Sequence, residues 1–195
     1  MYELPISITI NNKKYPIRNK GDYRVILDCF SALNDIDMPK DVRVLTSLMI
    51  FLDNVSSIDD LLDMIGEENL ETAVIEMYHF FNCGSDSVGA VKPYKLLDWE
   101  QDEQIIISAI NNVATKEVRL EPYIHWWTFM GYYLAIGDCT LATVVSIRDK
   151  MVKGNKLEKY EREFQTENPH YFNWNRNTIE QQEEDAYIQN IWNSD

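Results

Sequence analysis

Apolar and polar residues alternate at the start of the chain in the pattern of a small β-hairpin. From Ile6 to Ile10, isoleucines alternate with polar residues, which gives a strand one apolar face. Asn11-Asn12 can adopt the left-handed dihedrals of a tight turn, and Tyr15-Pro16-Ile17 is the return strand. The pattern therefore predicts a hairpin over residues 4–17, with its second strand at an edge because proline cannot donate a ladder hydrogen bond.

From Asp22 onward the apolar residues recur with the period of an α-helix, which predicts a mainly α-helical, bundle-like domain. Asp22 is a favoured N-cap residue, and Ser57 precedes an acidic first turn typical of a helix start. The predicted helices begin at or near Asp22, Pro39, Ser57, Leu70, Asp98, Pro122, Thr140 and Lys156. The second of these is predicted to bury five apolar residues: Val42, Leu45, Leu48, Met49 and Leu52.

The densest apolar stretch begins at His125-Trp126-Trp127 and continues to Leu134. It predicts a helix from about Pro122 to Ile136. One wide face of that helix carries Tyr123, Trp126, Trp127, Met130, Tyr133 and Leu134. Such a face must be buried in the domain's own core or against a partner. Core packing is the default for most of it, and Tyr132 or Tyr133 on the surface would suit a contact patch.

The character of the chain changes near its end, which predicts a helical domain over residues 1–165 and a tail over residues 166–195. The tail is acidic and contains aromatic residues, among them Trp174 and Trp192. These aromatic residues lie in polar surroundings too sparse to form a core. They favour docking on the preceding domain or on a second chain.

The charge balance narrows the possible functions. The chain has 18 basic and 32 acidic residues, for a net charge of −14. This charge argues against nucleic-acid binding, which needs cations to neutralise phosphates. No apolar run has the length of a membrane span, and no signal peptide is predicted. Three widely spaced cysteines favour reduced thiols in a cytoplasmic protein.

Ionisable residues show no motif for catalysis, a metal or a cofactor. His125 is predicted to hydrogen-bond a backbone carbonyl or a carboxylate in packed surroundings, because no second ligand stands at metal-binding spacing. The acidic cluster Asp98, Glu100, Asp102 and Glu103 is predicted to complement a helix dipole on a solvated face. Nucleophile elbows and phosphate-binding glycine loops are missing from the sequence. We therefore predict a protein that is not an enzyme and holds no cofactor.

Several segments together resemble a protein family of tailed phages and prophages of Gram-positive bacteria, the bacteriophage "gene product fifteen" family. These segments are Tyr15-Pro16-Ile17, Phe80-Phe81-Asn82-Cys83-Gly84, Leu97-Asp98-Trp99-Glu100-Gln101-Asp102 and His125-Trp126-Trp127-Thr128-Phe129. The likeness covers roughly the first 165 residues, and the order and spacing of the segments make it fairly specific. The acidic tail departs from the family pattern.

The resemblance implies a phage tail assembly chaperone that binds the tape-measure protein during tail morphogenesis in the host cytoplasm. A structural tail or neck component of the mature virion is the alternative. The implied partners are the tape-measure protein and other tail proteins, with homo-oligomerisation left open. Nucleic acid and membrane are not expected as partners. The predicted partner-binding residues are Trp126, Trp127, Tyr132, Tyr133, Trp174 and Trp192.

Overall fold

The structure, a computed structural model, describes residues 3–85 and 94–174. Within these residues the chain forms a two-stranded antiparallel sheet and eight α-helices, which confirms the predicted mainly α fold with a small N-terminal hairpin. The elements are β1 Ser7–Ile10, β2 Lys13–Pro16, α1 Tyr23–Leu33, α2 Lys40–Phe51, α3 Ile58–Ile65, α4 Leu70–Phe81, α5 Glu103–Ala114, α6 Trp126–Leu134, α7 Thr140–Val152 and α8 Lys159–Glu167.

The hairpin forms where the sequence predicts it. Asn11 and Asn12 have φ values of 49° and 63°, as a two-residue turn with matching twist requires. Ile8 and Ile10 are buried, but Ile6 precedes the paired strand and is half-exposed. The apolar face of the hairpin is therefore shorter than the alternation predicts.

Local signals place the starts of α1 and α3 correctly. The carboxylate of Asp22 accepts a hydrogen bond from the amide of Arg24 at 3.0 Å, and the hydroxyl of Ser57 accepts one from the amide of Asp60 at 3.1 Å. The N-cap predicted at Asp22 and the helix start predicted at Ser57 are confirmed. Each cap satisfies one of the amide groups that a helix leaves unpaired in its first turn.

The buried face of α2 differs from the predicted one. Val42, predicted to point inward, is 40% exposed, whereas the neighbouring Arg43 is 3% exposed. The buried residues of this helix are Arg43, Ser47, Leu48 and Phe51. A face that buries an arginine and a serine cannot be read from apolar periodicity alone, because its polar positions are interpreted as solvent-facing.

The described residues fall into two compact units. The first contains residues 3–85 and 119–131, and the second contains residues 94–118 and 132–174. The predicted boundary between a helical domain over residues 1–165 and a tail over residues 166–195 stays a prediction. Residues 86–93, most of the predicted polar loop, and residues 175–195 lie outside the described residues.

The core of the first unit is rich in aromatic residues. The rings of Phe51 and Phe81 meet edge to face with centroids 5.6 Å apart, and those of Tyr23 and Phe129 stack at 4.2 Å. The guanidinium of Arg18 donates hydrogen bonds to three main-chain carbonyls at the end of α2 and in the segment after it. These contacts join the hairpin segment to α2.

Candidate interaction sites

The helix that follows His125 is shorter than the sequence predicts. It spans Trp126–Leu134, and its buried residues are Trp126 and Phe129. Tyr123 and Leu134, predicted on the buried face, are 42% and 75% exposed. The prediction of one wide buried stripe is therefore wrong at both ends.

The cause of this late start lies in a distant part of the chain. His125 forms a β-bridge with Asp22, and the carboxylate of Asp22 accepts a hydrogen bond from the amide of Ile124 at 2.9 Å. These contacts hold the segment before Trp126 in a non-helical conformation. Helical periodicity cannot reveal such a constraint, because it comes from residues about one hundred positions away.

His125 has a structural environment. Its Nδ1 accepts a hydrogen bond from the amide of Trp127 at 3.1 Å, so Nε2 carries the proton and donates to the carbonyl of Pro5 at 2.8 Å. Burial lowers the pKa of His125 from its ordinary value, which favours the neutral ring. The predicted hydrogen bond to a backbone carbonyl is confirmed.

The two tryptophans after His125 cap the end of a helix. The indole N–H of Trp126 donates to the carbonyl of Phe81 at 2.9 Å, and that of Trp127 donates to the carbonyl of Phe80 at 2.9 Å. Both carbonyls lie in the last turn of α4, where helix carbonyls lack intrahelical partners. The carbonyl of Phe80 also accepts the amide hydrogen of Cys83 at 3.0 Å, so Trp127 adds a second hydrogen bond there, and Trp126 supplies a hydrogen bond to the buried carbonyl of Phe81.

This arrangement requires a glycine at position 21. Gly21 has a φ of +76°, and a Cβ added there would lie 2.7 Å from the ring of Phe80 and 3.3 Å from Nε2 of His125. The carbonyl of Gly21 accepts the amide hydrogen of Trp126 at 2.8 Å. The backbone must therefore approach the His125 segment more closely than a side chain allows.

The six predicted partner-binding residues are placed very differently. Trp126 and Trp174 are 1% and 6% exposed, Trp127 is half-buried, and Trp192 lies outside the described residues. Tyr132 and Tyr133 are half-buried on the second unit, which does not contain Trp126 or Trp127. Contact with a partner stays a prediction for all six.

The end of α6 presents an accessible aromatic surface on the second unit. The ring of Tyr133 lies 5.3 Å from that of Trp99, and burial raises the pKa of the Tyr133 hydroxyl. Leu134 follows at 75% exposure. We call Trp99, Tyr132, Tyr133 and Leu134 the α6-end surface.

The acidic cluster at residues 98–103 is not a uniformly solvated helix start. Asp102 is 4% exposed and forms a two-pronged ion pair with Arg148, with N–O distances of 2.6 and 2.8 Å. Asp98 accepts hydrogen bonds from the amides of Glu100 and Gln101, each at 2.9 Å, and pairs with Lys95 at 2.6 Å. The sequence-based interpretation of a solvated cluster is wrong for Asp102.

Arg148 connects three segments of the second unit. Its guanidinium contacts Asp102, donates to the carbonyl of Leu96 at 2.9 Å, and donates twice to the carbonyl of Tyr171, at 2.9 and 2.6 Å. The five N–H groups of arginine therefore all have acceptors, which is how a fully buried guanidinium can be accommodated. The ring of Trp174 lies 4.7 Å from the guanidinium carbon.

Sequence reasoning missed Arg148, although the sequence carries a signal for it. Position 148 follows Leu141 and Val144 at intervals of seven and four, so it lies on the buried face of α7. An arginine on an apolar helix face needs a buried carboxylate, and the cluster at residues 98–103 supplies one.

A groove of about 690 Å³ lies beside α5 and the start of α7 in the second unit. Buried apolar residues Ile105, Ala109 and Leu141 contribute to its lining, together with the neutral polar side chains of Gln104, Ser108 and Asn112. None of its described lining residues is charged. Such a lining suits an apolar side chain of a peptide better than an ion.

Across residues 3–85 and 94–174, no group of three or more histidine, cysteine or acidic side chains could hold a metal ion. In the same ranges, no helix is both long enough and apolar enough to span a membrane.

Comparison with curated proteins and with solved structures gives no significant match. A family model described as Bacteriophage Gp15 protein matches residues 1–171. The match covers residues 3–85 and 94–171 of the described ranges, including the His125-Trp126-Trp127 segment and the Arg148–Asp102 pair. The chain therefore belongs to the bacteriophage Gp15 protein family.

Proposed function

We propose that this protein is a tail assembly chaperone that binds the phage tape-measure protein in the host cytoplasm, without catalysing a reaction. Membership of the Gp15 family over residues 1–171 is the observation that carries the proposal. It agrees with the resemblance of the sequence segments to proteins of tail morphogenesis. A chaperone of this kind holds a partner polypeptide and needs no reactive centre.

Two surfaces of the second unit suit the apolar side of a tape-measure helix. The α6-end surface offers aromatic rings and an exposed leucine, a composition favoured at protein interfaces. The neutral groove beside α5 offers a partly apolar recess for a side chain at helical spacing. Trp126 and Trp174 have little exposed surface to contribute in this conformation.

The net charge of −14 supports the same role in a different way. Like-charged copies repel one another, so the exposed apolar side chains are less prone to drive self-association. A tape-measure segment bound to this acidic protein would be kept from aggregating by the same charge repulsion. High salt should weaken this protection, because the screening length falls from about 8–10 Å at 0.1–0.15 M ionic strength to about 3 Å at 1 M.

The test is co-expression of the full chain with the tape-measure protein, followed by size-exclusion chromatography with light scattering. We expect a complex that contains both chains. Leu134→Ser should weaken it, and Leu120→Ser is the matched control, because Leu120 is 83% exposed on the first unit. If both variants weaken the complex equally, the α6-end surface is not the contact with the tape-measure protein.

Two outcomes would overturn the proposal itself. One is the failure of the unmodified chain to associate with any part of the tape-measure protein. The other is the detection of stoichiometric amounts of the chain in purified particles by mass spectrometry. That result would favour a structural tail or neck component, because a chaperone leaves before the virion is complete.

A further inference from the structure

Residues Tyr171 to Trp174 lie on the second unit in the manner of a bound peptide. Tyr171 and Phe172 form the second half of a short 3-10 turn, Pro169–Phe172, which begins after the end of α8, and Asn173 and Trp174 follow that turn. Side chains from two other segments, residues 94–102 and α7, hold them by their main chain. This arrangement is distinct from the packing of one helix on another.

The main-chain contacts are made by Arg148 and Gln101. Arg148 donates two hydrogen bonds to the carbonyl of Tyr171, and the side-chain amide of Gln101 donates to the carbonyl of Asn173 at 2.7 Å. Carbonyl groups are common to every peptide. These contacts therefore fix the position of a backbone without selecting its sequence.

Alternate side chains supply the selectivity. Phe172 and Trp174 are 8% and 6% exposed, and they cluster with Ile147. Phe172 meets the ring of Phe164 edge to face at 6.2 Å. The indole N–H of Trp174 donates to the carbonyl of Lys95 at 2.8 Å, so a phenylalanine there would leave that acceptor without its donor.

The site is fixed in place by the Arg148–Asp102 pair. Asp102 engages two guanidinium N–H groups and also accepts the amide hydrogen of Asp98 at 3.0 Å. The remaining guanidinium donors are thereby aimed at main-chain carbonyls. A buried ion pair stabilises a fold weakly, and its better-supported use is to specify one arrangement.

We propose that this surface is a peptide-binding site for short segments with an aromatic residue and a tryptophan two positions apart, and that residues 171–174 are its tethered occupant. The same segment of a second copy of the chain competes for the site when the chain's own segment detaches. This proposal does not depend on binding of the tape-measure protein.

The tether makes the site hard to detect in the unmodified chain. A segment linked to its site acts at an effective concentration of roughly millimolar, so a free peptide at micromolar concentration competes poorly. Loss of the Trp174 anchor should weaken the tethered segment and leave Arg148, Gln101 and Lys95 in place. The variant should therefore bind free peptide better than the original chain does.

The experiment measures fluorescence polarisation of a labelled peptide with the sequence of residues 168–174, Asn-Pro-His-Tyr-Phe-Asn-Trp. The proteins are the full chain, Trp174→Ala, and Trp174→Ala combined with Arg148→Lys. We expect Trp174→Ala to bind the peptide at least about tenfold more tightly than the full chain, in line with the loss of a tethered competitor. Arg148→Lys should abolish this gain, because lysine lacks the planar fork.

A labelled peptide with alanine in place of its tryptophan is the matched control and should not bind. Circular dichroism shows whether each variant is folded, and Phe172→Ala replaces Trp174→Ala if the latter is not. The proposal is overturned if the full chain and the anchor variant bind equally. It is also overturned if the alanine peptide binds as well as the original, or if Arg148→Lys leaves the gain intact.

Discussion

Asp102→Asn should destabilise the second unit strongly, because it leaves a buried guanidinium without its counter-ion. Asparagine has nearly the size of aspartate, so the change creates almost no cavity. Arg148 is 0% exposed and cannot turn to water without unpacking Trp174 and the Tyr171 segment. The substitution tests the ion pair rather than the packing.

The expected cost is about 3–5 kcal/mol, the usual penalty for removing one partner of a buried ion pair. For a chain of this size, each kcal/mol lowers the thermal midpoint by about 2–4 °C. Urea unfolding followed by far-UV circular dichroism and tryptophan fluorescence measures the change. Glu163→Gln is the control, because the Glu163–Lys159 ion pair is exposed and has an N–O distance of 3.8 Å. This variant should leave the urea unfolding midpoint unchanged.

Replacing both partners separates charge from shape. Arg148→Met with Asp102→Leu should be less destabilised than the sum of the two single variants, because no buried charge is left alone. A loss below about 1 kcal/mol in Asp102→Asn, well under the usual buried-pair penalty, would refute the reasoning. Additivity in the double-mutant cycle would refute it equally.

Three further predictions concern the first unit. Gly21→Ala should lower the free energy of unfolding by about 1–3 kcal/mol, because it combines a left-handed φ with a contact at 2.7 Å. Its control is Gly131→Ala in α6, where an added Cβ meets open space, and this variant should raise the free energy of unfolding by about 0.5–1 kcal/mol in the same urea titration. Burial lowers the pKa of His125, so stability should be full above pH 6.5 and fall as the pH drops below it; His125→Gln should lose this slope. Burial raises the pKa of Cys29 to about 12, so a thiol reagent at pH 8 should modify Cys29 only after denaturation.

The sequence predicts those parts of the fold that depend on neighbouring residues. The Asn11-Asn12 turn and the caps at Asp22 and Ser57 are set within a few positions, and each is confirmed. The delayed start of α6 depends on Asp22, and the burial of Asp102 depends on Arg148. Neither Asp22 nor Arg148 lies within the short stretch of sequence over which hydrophobic periodicity is read, so neither feature was predicted.

The indole and imidazole nitrogens of the His125-Trp126-Trp127 segment make hydrogen bonds within the fold of this protein. Both indole N–H groups are used on the last carbonyls of α4, and the imidazole is used on Pro5 and on the amide of Trp127. A partner that drew on these donors would have to break the cap that holds α4 in place. Residues that recognise another chain should instead be those whose polar atoms and surface remain accessible, as at Leu134 on the α6-end surface. Substitution of an exposed leucine, Leu134→Ser with Leu120→Ser as its control, is thus the experiment that separates binding from folding, whereas mutation of the tryptophans would disturb both.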